Sequence, residues 1–246
     1  MIIILGLDGL EYDYVMKFDC QNLFQQSFGR TDLSEFTELK TVILWSSFLA
    51  EKNMEQEINQ KGELWDFKLP PARTFFANFK RWKAIDVPGL TYRDEEHRLE
   101  RVKLKDFFDK KASLEEYDRV IFQNHQKNKT EFWSALEENH EILMGYFDLA
   151  DAIGHLSFGI TSKMKLIYQE LDDLVGQVKT KFNGPLLIIA DHGMKAVGRF
   201  GDHHGGGFWS MNSKLLPVSV RSRQPGAQPN PGITEIFKIF INENKT

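Results

Sequence analysis

Met1–Gly6 is an unbroken apolar run rich in isoleucine, the pattern of a strand buried on both faces. It ends at Gly6-Leu7-Asp8-Gly9, where glycines permit a tight turn and a carboxylate sits at the strand's C-terminal end. Thr41–Ala50 begins with threonine and carries Leu44, Trp45, Phe48 and Leu49 at helical spacing, predicting a helix that opens just after the threonine. Short strands are predicted at Lys83–Pro88, Arg119–Gln123 and Glu141–Phe147, with a helix over Lys129–Asn139. Ser162–Phe182 repeats apolar residues at Met164, Ile167, Leu171, Leu174, Val175 and Val178, a long helical period. Gly184-Pro185 then introduces Leu186–Ala190, a second buried strand. Gln224–Gly232 is rich in proline and glycine and reads as an exposed loop, and Ile233–Asn242 as a final helix.

Strands alternating with helices predict an α/β fold, helices covering both faces of a mostly parallel sheet. Residues 52–118 are more charged and less regular, and are expected to form a small elaboration on a single domain. Composition adds boundaries. A chain of 246 residues needs no disulfide or metal merely to fold. The single cysteine, Cys20, excludes an internal disulfide framework and a thiolate zinc cluster, and fits a reducing compartment. The net charge of −4, with no basic block, argues against a dedicated nucleic-acid surface. The opening apolar run is too short to span a bilayer. A soluble, cytoplasmic protein acting on a small molecule is the expectation.

The informative pattern is where acids and histidines fall. Asp8 follows the first strand, Asp151 and His155 follow the strand ending near Phe147, and Asp191-His192-Gly193 follows the last. Ligand sites in α/β sheets gather at the C-terminal ends of strands. Gly201-Asp202-His203-His204-Gly205, read as a glycine-rich loop, supplies more imidazole. Carboxylate and imidazole without thiolate suit zinc, manganese or iron, and this many donors suit two ions, an arrangement used in phosphoryl transfer. His97 and His140 lie in charged or polar stretches and are expected to be solvated; the surroundings of His125 leave it undecided. Thr41 at a helix start has two readings: an ordinary N-cap, or a hydroxyl placed to act on a phosphate.

The order Asp8, Thr41–Ala50, Asp151-Ala-Ile-Gly-His155, Asp191-His192-Gly193-Met194 and Gly201-Asp202-His203 resembles the alkaline phosphatase superfamily. More closely it is similar to its type I phosphodiesterase and nucleotide pyrophosphatase branch, in a short microbial form. Glu63-Leu-Trp-Asp66 and Asp86-Val-Pro-Gly-Leu-Thr-Tyr92 also resemble that branch. The resemblance implies a three-layer α/β/α sandwich and two divalent ions, zinc with manganese or iron as alternatives. It implies one ion held by Asp151, His155 and a histidine of the Gly201–Gly205 segment, and the other by Asp8, Asp191, His192 and the Thr41 oxygen. His203 fits the family spacing and His204 is its rival. Thr41 would be the nucleophile for a phosphodiester or a nucleotide-like pyrophosphate, through a phospho-threonine. A phosphomonoesterase or phosphate mutase of the superfamily, and a binding protein on a decayed phosphohydrolase, are the alternatives. The sequence departs from the branch near Thr41: Ile43 replaces a frequent proline, Ala50-Glu51 a frequent Thr-Gly, and Leu44 the asparagine that often holds a phosphoryl oxygen.

Overall fold

A computed structural model describes residues 1–213 and 230–244. The chain runs β1 (Ile2–Leu7), α1 (Tyr12–Lys17), β2 (Ser27–Arg30), α2 (Thr41–Ala50) and α3 (Glu55–Asn59). Three short 3-10 turns follow at Leu64–Asp66, Pro71–Arg73 and Phe75–Asn78. Then come β3 (Trp82–Ile85), α4 (Asp94–Phe108), α5 (Leu114–Leu136), β4 (Ile142–Phe147), α6 (Leu149–Ser157) and α7 (Thr161–Lys181). The remainder is β5 (Leu186–Ile189), β6 (Gly193–Val197), β7 (Phe200–His204), β8 (Phe208–Met211) and α8 (Ile236–Glu243). Residues 224–229 of the expected Gln224–Gly232 loop lie outside the described residues.

Six strands form the main sheet in the order β2-β8-β5-β1-β4-β3. β1 is central and pairs in parallel with β4 on one side and β5 on the other. β3 extends the parallel set beyond β4, whereas β8 runs antiparallel to β5 and β2 antiparallel to β8. This is the mostly parallel α/β sheet that the strand–helix alternation predicts. Alternate side chains of β1 feed two cores: Ile3, Leu5 and Leu7 join α5, α6 and α7, while Ile4 joins α2 and α8 on the opposite face. Gly6 is needed on that second face, because a Cβ there would lie 2.7 Å from the Trp45 ring of α2. α2 is apolar all round and buried from Thr41 to Leu49, as a helix without a polar face must be. Residues 52–118 contribute β3 to the main sheet as well as α3, α4 and the 3-10 turns.

The structure corrects two expected elements. Arg119–Gln123 is not a strand but the middle of α5. A capping box formed by Ser113 and Glu116 starts that helix upstream, and Tyr117, Ile121, His125, Asn128, Phe132 and Ala135 then make one continuous buried stripe. The five-residue window looks strand-like only when cut from that longer period. Gly201–Gly205 is not an irregular loop but mostly β7, paired antiparallel with β6 in a hairpin separate from the main sheet. Its two-residue turn is Gly198-Arg199, with Gly198 at φ 63°, a conformation glycine adopts without steric cost. Among the described residues, no helix is long and apolar enough to cross a membrane.

Candidate active site

Parallel pairing of three adjacent strands sets the site. The pairing of Leu7 with Phe147 and of Gly6 with Ile189 brings the ends of β1, β4 and β5 to one edge of the sheet. Asp8 continues from β1, Asp151 rises on α6 directly after β4, and Asp191-His192 continue from β5. The Asp151 amide donates to the Asp8 carbonyl at 3.2 Å, stitching α6 to the end of β1.

His192 Nε2 lies 3.2 Å from Asp8 Oδ1, 3.6 Å from Asp191 Oδ2 and 3.8 Å from Asp151 Oδ1. His203 arrives from the hairpin with its Nε2 3.3 Å from Asp151 Oδ1, and its ring stacks on that of His192 at 3.8 Å. His155, one helical turn after Asp151, places Nε2 3.2 Å from Asp151 Oδ2. Strand alternation separates the two neighbouring histidines: His203 faces Asp151, whereas His204 points away, half exposed, with Nδ1 3.5 Å from Glu11 Oε2.

The chemistry of this donor set fits a pair of metal ions. Asp8 Oδ1, Asp151 Oδ1, both Asp191 oxygens, His192 Nε2 and His203 Nε2 are buried without a hydrogen-bond partner, an expensive condition for six polar atoms in one place. Their separations of 3.2–3.8 Å are close to the roughly 3.3 Å between ligands that sit about 2 Å from one tetrahedral ion. They fall into two overlapping groups, Asp8–Asp191–His192 and Asp151–His192–His203. Both imidazoles are oriented from behind. His192 Nδ1–H donates to the Gly193 carbonyl at 3.0 Å and His203 Nδ1–H to the Leu39 carbonyl at 2.5 Å, so that in the neutral ring the lone pair of each stands on Nε2. Charge points the same way. Burial, and then the nearby carboxylates Asp8 and Asp151, push Asp191 well above the usual carboxylate range. Burial also opposes the charge on Asp151, but His155 and His203 hold it well below that range.

Thr41 lines a cavity of about 320 Å³ together with Asp151, His155 and His203. It is the first helical residue of α2, and Lys40 occupies the N-cap position without a side-chain capping bond. The ordinary N-cap reading of Thr41 therefore does not apply. Leu44, one turn into the same helix, is wholly buried in the core.

No protein-family model matches the chain, and no curated protein matches it. Among solved structures, alkaline phosphatase from the Antarctic bacterium TAB5 superposes with a TM-score of 0.50 at 10% identity, over 99% of this chain and 97% of that one. A magnesium-bound mutant of the same enzyme gives 0.54 at 11% identity over the same shares. This is an alkaline phosphatase fold. Murine and human ectonucleotide pyrophosphatase/phosphodiesterase 5 match at 14% and 15% identity with TM-scores of 0.48 and 0.49. Those matches cover 80% of this chain, which spans 58% of the length of either protein.

Within this alkaline phosphatase fold, several supporting groups escape a reading of the sequence. Tyr146 donates its hydroxyl to Asp8 Oδ2 at 2.5 Å, and the Trp45 indole approaches the same oxygen at 3.4 Å. Both sit in apolar runs that look like core. The one available signal is register: Tyr146 pairs with Gly6, two residues before Asp8. Glu11 is another. Its carboxylate accepts from the Met194 amide at 3.1 Å and occupies the space where a Cβ on Gly193 or Gly206 would stand, so it props the hairpin that carries His203.

His97, expected to be solvated, is 1% exposed. Its Nδ1 meets Glu100 Oε2 at 2.6 Å and its Nε2 meets Asp86 Oδ2 at 2.9 Å, while its ring stacks on Tyr92 at 3.9 Å. Burial disfavours its charge, but these two carboxylates and Asp148 overcome that and raise it to about 10. The charged neighbourhood seen in sequence is what draws it inward. His140 is half-buried, and His125 is fully buried, with Nε2 3.2 Å from Glu170 Oε1.

Proposed function

We propose that the chain is a metal-dependent phosphohydrolase that cleaves a phosphodiester or a nucleotide-like pyrophosphate, with Thr41 as nucleophile. The observation that carries this reading is the convergence of six orphaned, buried ligand atoms beside a cavity that is also lined by Thr41, at an uncapped helix N-terminus. Asp8, Asp191, His192 and Thr41 would hold one divalent ion, and Asp151, His155 and His203 the other. Zinc suits the imidazole-rich set, with manganese and iron as alternatives. Such ions, when bound, supply Lewis acidity toward phosphoryl oxygens and make hydroxyl groups more acidic.

The chain's own residues account for the remainder. The free N–H groups at the start of α2 receive phosphoryl oxygens. The Thr41 oxygen attacks phosphorus in line. Its bond to phosphorus forms as the bond to the departing oxygen breaks, and the hydroxyl proton passes to solvent. Water then attacks the phospho-threonine, breaks the bond between phosphorus and the Thr41 oxygen, and restores the hydroxyl. Tyr146 and Trp45 keep Asp8 turned so that Oδ1 faces His192.

Rates on bis-p-nitrophenyl phosphate and p-nitrophenyl phosphate, with zinc or manganese supplied, test the reading. A preference for the diester supports it, and a preference for the monoester moves the protein to the phosphomonoesterase alternative. No hydrolysis of either, together with no bound transition metal, would leave only the non-catalytic alternative.

A further inference from the structure

The cavity holding Thr41 continues to a wall formed by α4 and the 3-10 turn at Leu64–Asp66, and Arg101 stands on that wall. Its guanidinium lies over the Trp65 ring at 4.4 Å, and Trp65 in turn stacks on Tyr92 at 5.6 Å with an interplanar angle of 16°. Arg101 Nη1 is buried and has no hydrogen-bond partner, the one guanidinium nitrogen so placed among the described residues. Its neighbour two helical turns earlier behaves differently: Arg93 pairs with Asp86, Glu96 and Glu131. Two acids on the same cavity wall, Glu100 and Asp148, each turn an oxygen toward His97, while the second oxygen of Asp148, Oδ1, has no hydrogen-bond partner. Glu100 uses Oε2 on His97 and Oε1 on Asn124, and Asp148 faces His97 at 3.4 Å. A flat cation is therefore held by ring stacking, with a buried donor left over, in the cavity that contains the nucleophile.

We propose that Arg101 is a specificity-determining residue that binds an anionic oxygen group, carboxylate or phosphate, on the part of the substrate remote from the reacting phosphorus. This rests on the phosphohydrolase reading above and narrows its substrate class. A planar guanidinium stacked on an aromatic ring keeps its N–H fork free and pre-oriented for a two-oxygen acceptor. A buried donor without an acceptor is costly, and an anionic oxygen removes that cost only for ligands that carry one. A purely apolar leaving group would leave it unpaired.

Three non-hydrolysable ligands test this by calorimetry on the zinc-loaded protein: benzylphosphonate, 4-carboxybenzylphosphonate and p-xylylenediphosphonate. The native protein is expected to bind at least one of the two doubly anionic ligands about 10- to 100-fold more tightly than benzylphosphonate. The stronger of the two identifies carboxylate or phosphate as the natural group. Arg101→Gln should abolish the preference while leaving benzylphosphonate affinity within about threefold, and Arg101→Lys should restore part of it. Circular dichroism on each variant establishes that it is folded. Equal affinity for all three ligands in the native protein overturns the role of Arg101 and leaves the phosphohydrolase reading standing. So does a preference that survives in Arg101→Gln. Failure of the native protein to bind any of the phosphonates overturns both.

Discussion

Replacing Tyr146 by phenylalanine deletes one oxygen from a fully buried ring, so packing is conserved and no sizeable cavity opens. What is lost is the 2.5 Å hydrogen bond to Asp8 Oδ2. Trp45 Nε1 then remains as the partner of that oxygen, at a long 3.4 Å. Burial pushes the Tyr146 hydroxyl well above its ordinary range, so it stays protonated, and a donor, throughout the working pH range. A hydrogen bond to a charged group contributes about 1.5–3 kcal/mol. If that energy goes into fixing the carboxylate, metal affinity at the Asp8 site should fall roughly 10- to 100-fold, the range found when an outer partner of a metal ligand is removed. Competition with a chromophoric chelator measures this directly, and the melting temperature of the metal-free protein provides the control. Zinc affinity equal to that of the native protein would refute the argument. So would a large drop in metal-free stability with unchanged metal affinity, because the tyrosine would then serve the core and not the site.

Thr41→Ala should keep its metal and stay folded while turnover falls by several orders of magnitude, and Thr41→Ser should retain substantial activity; metal analysis alongside kinetics separates the two. Diester hydrolysis at the native rate by Thr41→Ala would show that the attacking group is not this hydroxyl. Asp191→Asn removes one of the crowded carboxylates, so the metal-free protein should melt higher, yet zinc should raise its melting temperature by clearly less than it raises that of the native protein, because only the second set of ligands is left intact. His97 is raised in the folded state from 6.5 to about 10, so its contribution to stability is complete below pH 6.5, declines as pH rises above that, and is gone above about 10. Urea unfolding of the native protein between pH 6 and pH 10 should show that decline, and His97→Gln should be less stable at pH 7 with a flatter profile.

The sheet was legible because buried parallel strands are continuous apolar runs: Ile2–Leu7, Ile142–Phe147 and Leu186–Ile189 announce themselves without their neighbours. Asp8, Asp151, Asp191 and His192 were visible for the same reason, since each follows such a run at its C-terminal end, whereas His203 comes from the separate hairpin. Other features depend on partners far away in sequence. β8 is covered on both sides by pairing with β2 and β5, contacts that four residues in isolation do not reveal. Arg119–Gln123 misleads because a short window cannot tell a strand from one stretch of a long amphipathic helix. His97 misleads because a dense cluster of charge reads as solvent-facing until its opposite signs are seen to pair. Trp45 and Tyr146 are apolar by composition and polar only at one atom, which a pattern of residue types does not resolve.

The hairpin that delivers His203 makes the site depend on parity. Its side chains alternate, so His203 and His204 lie on opposite faces and only one can look toward Asp151. Lengthening the Gly198-Arg199 turn by residues that leave the pairing of Met194 with His203 intact changes nothing at the site. A slip of the ribbon by one position exchanges the two imidazoles and sends His203 toward Glu11. A single residue inserted within β7 ahead of His203, far too small a change to disturb the main sheet, would thus set Asp202 opposite Met194 and turn His203 to the other face. Two inserted residues would return the inward-facing position to the original parity, with the arm one step longer.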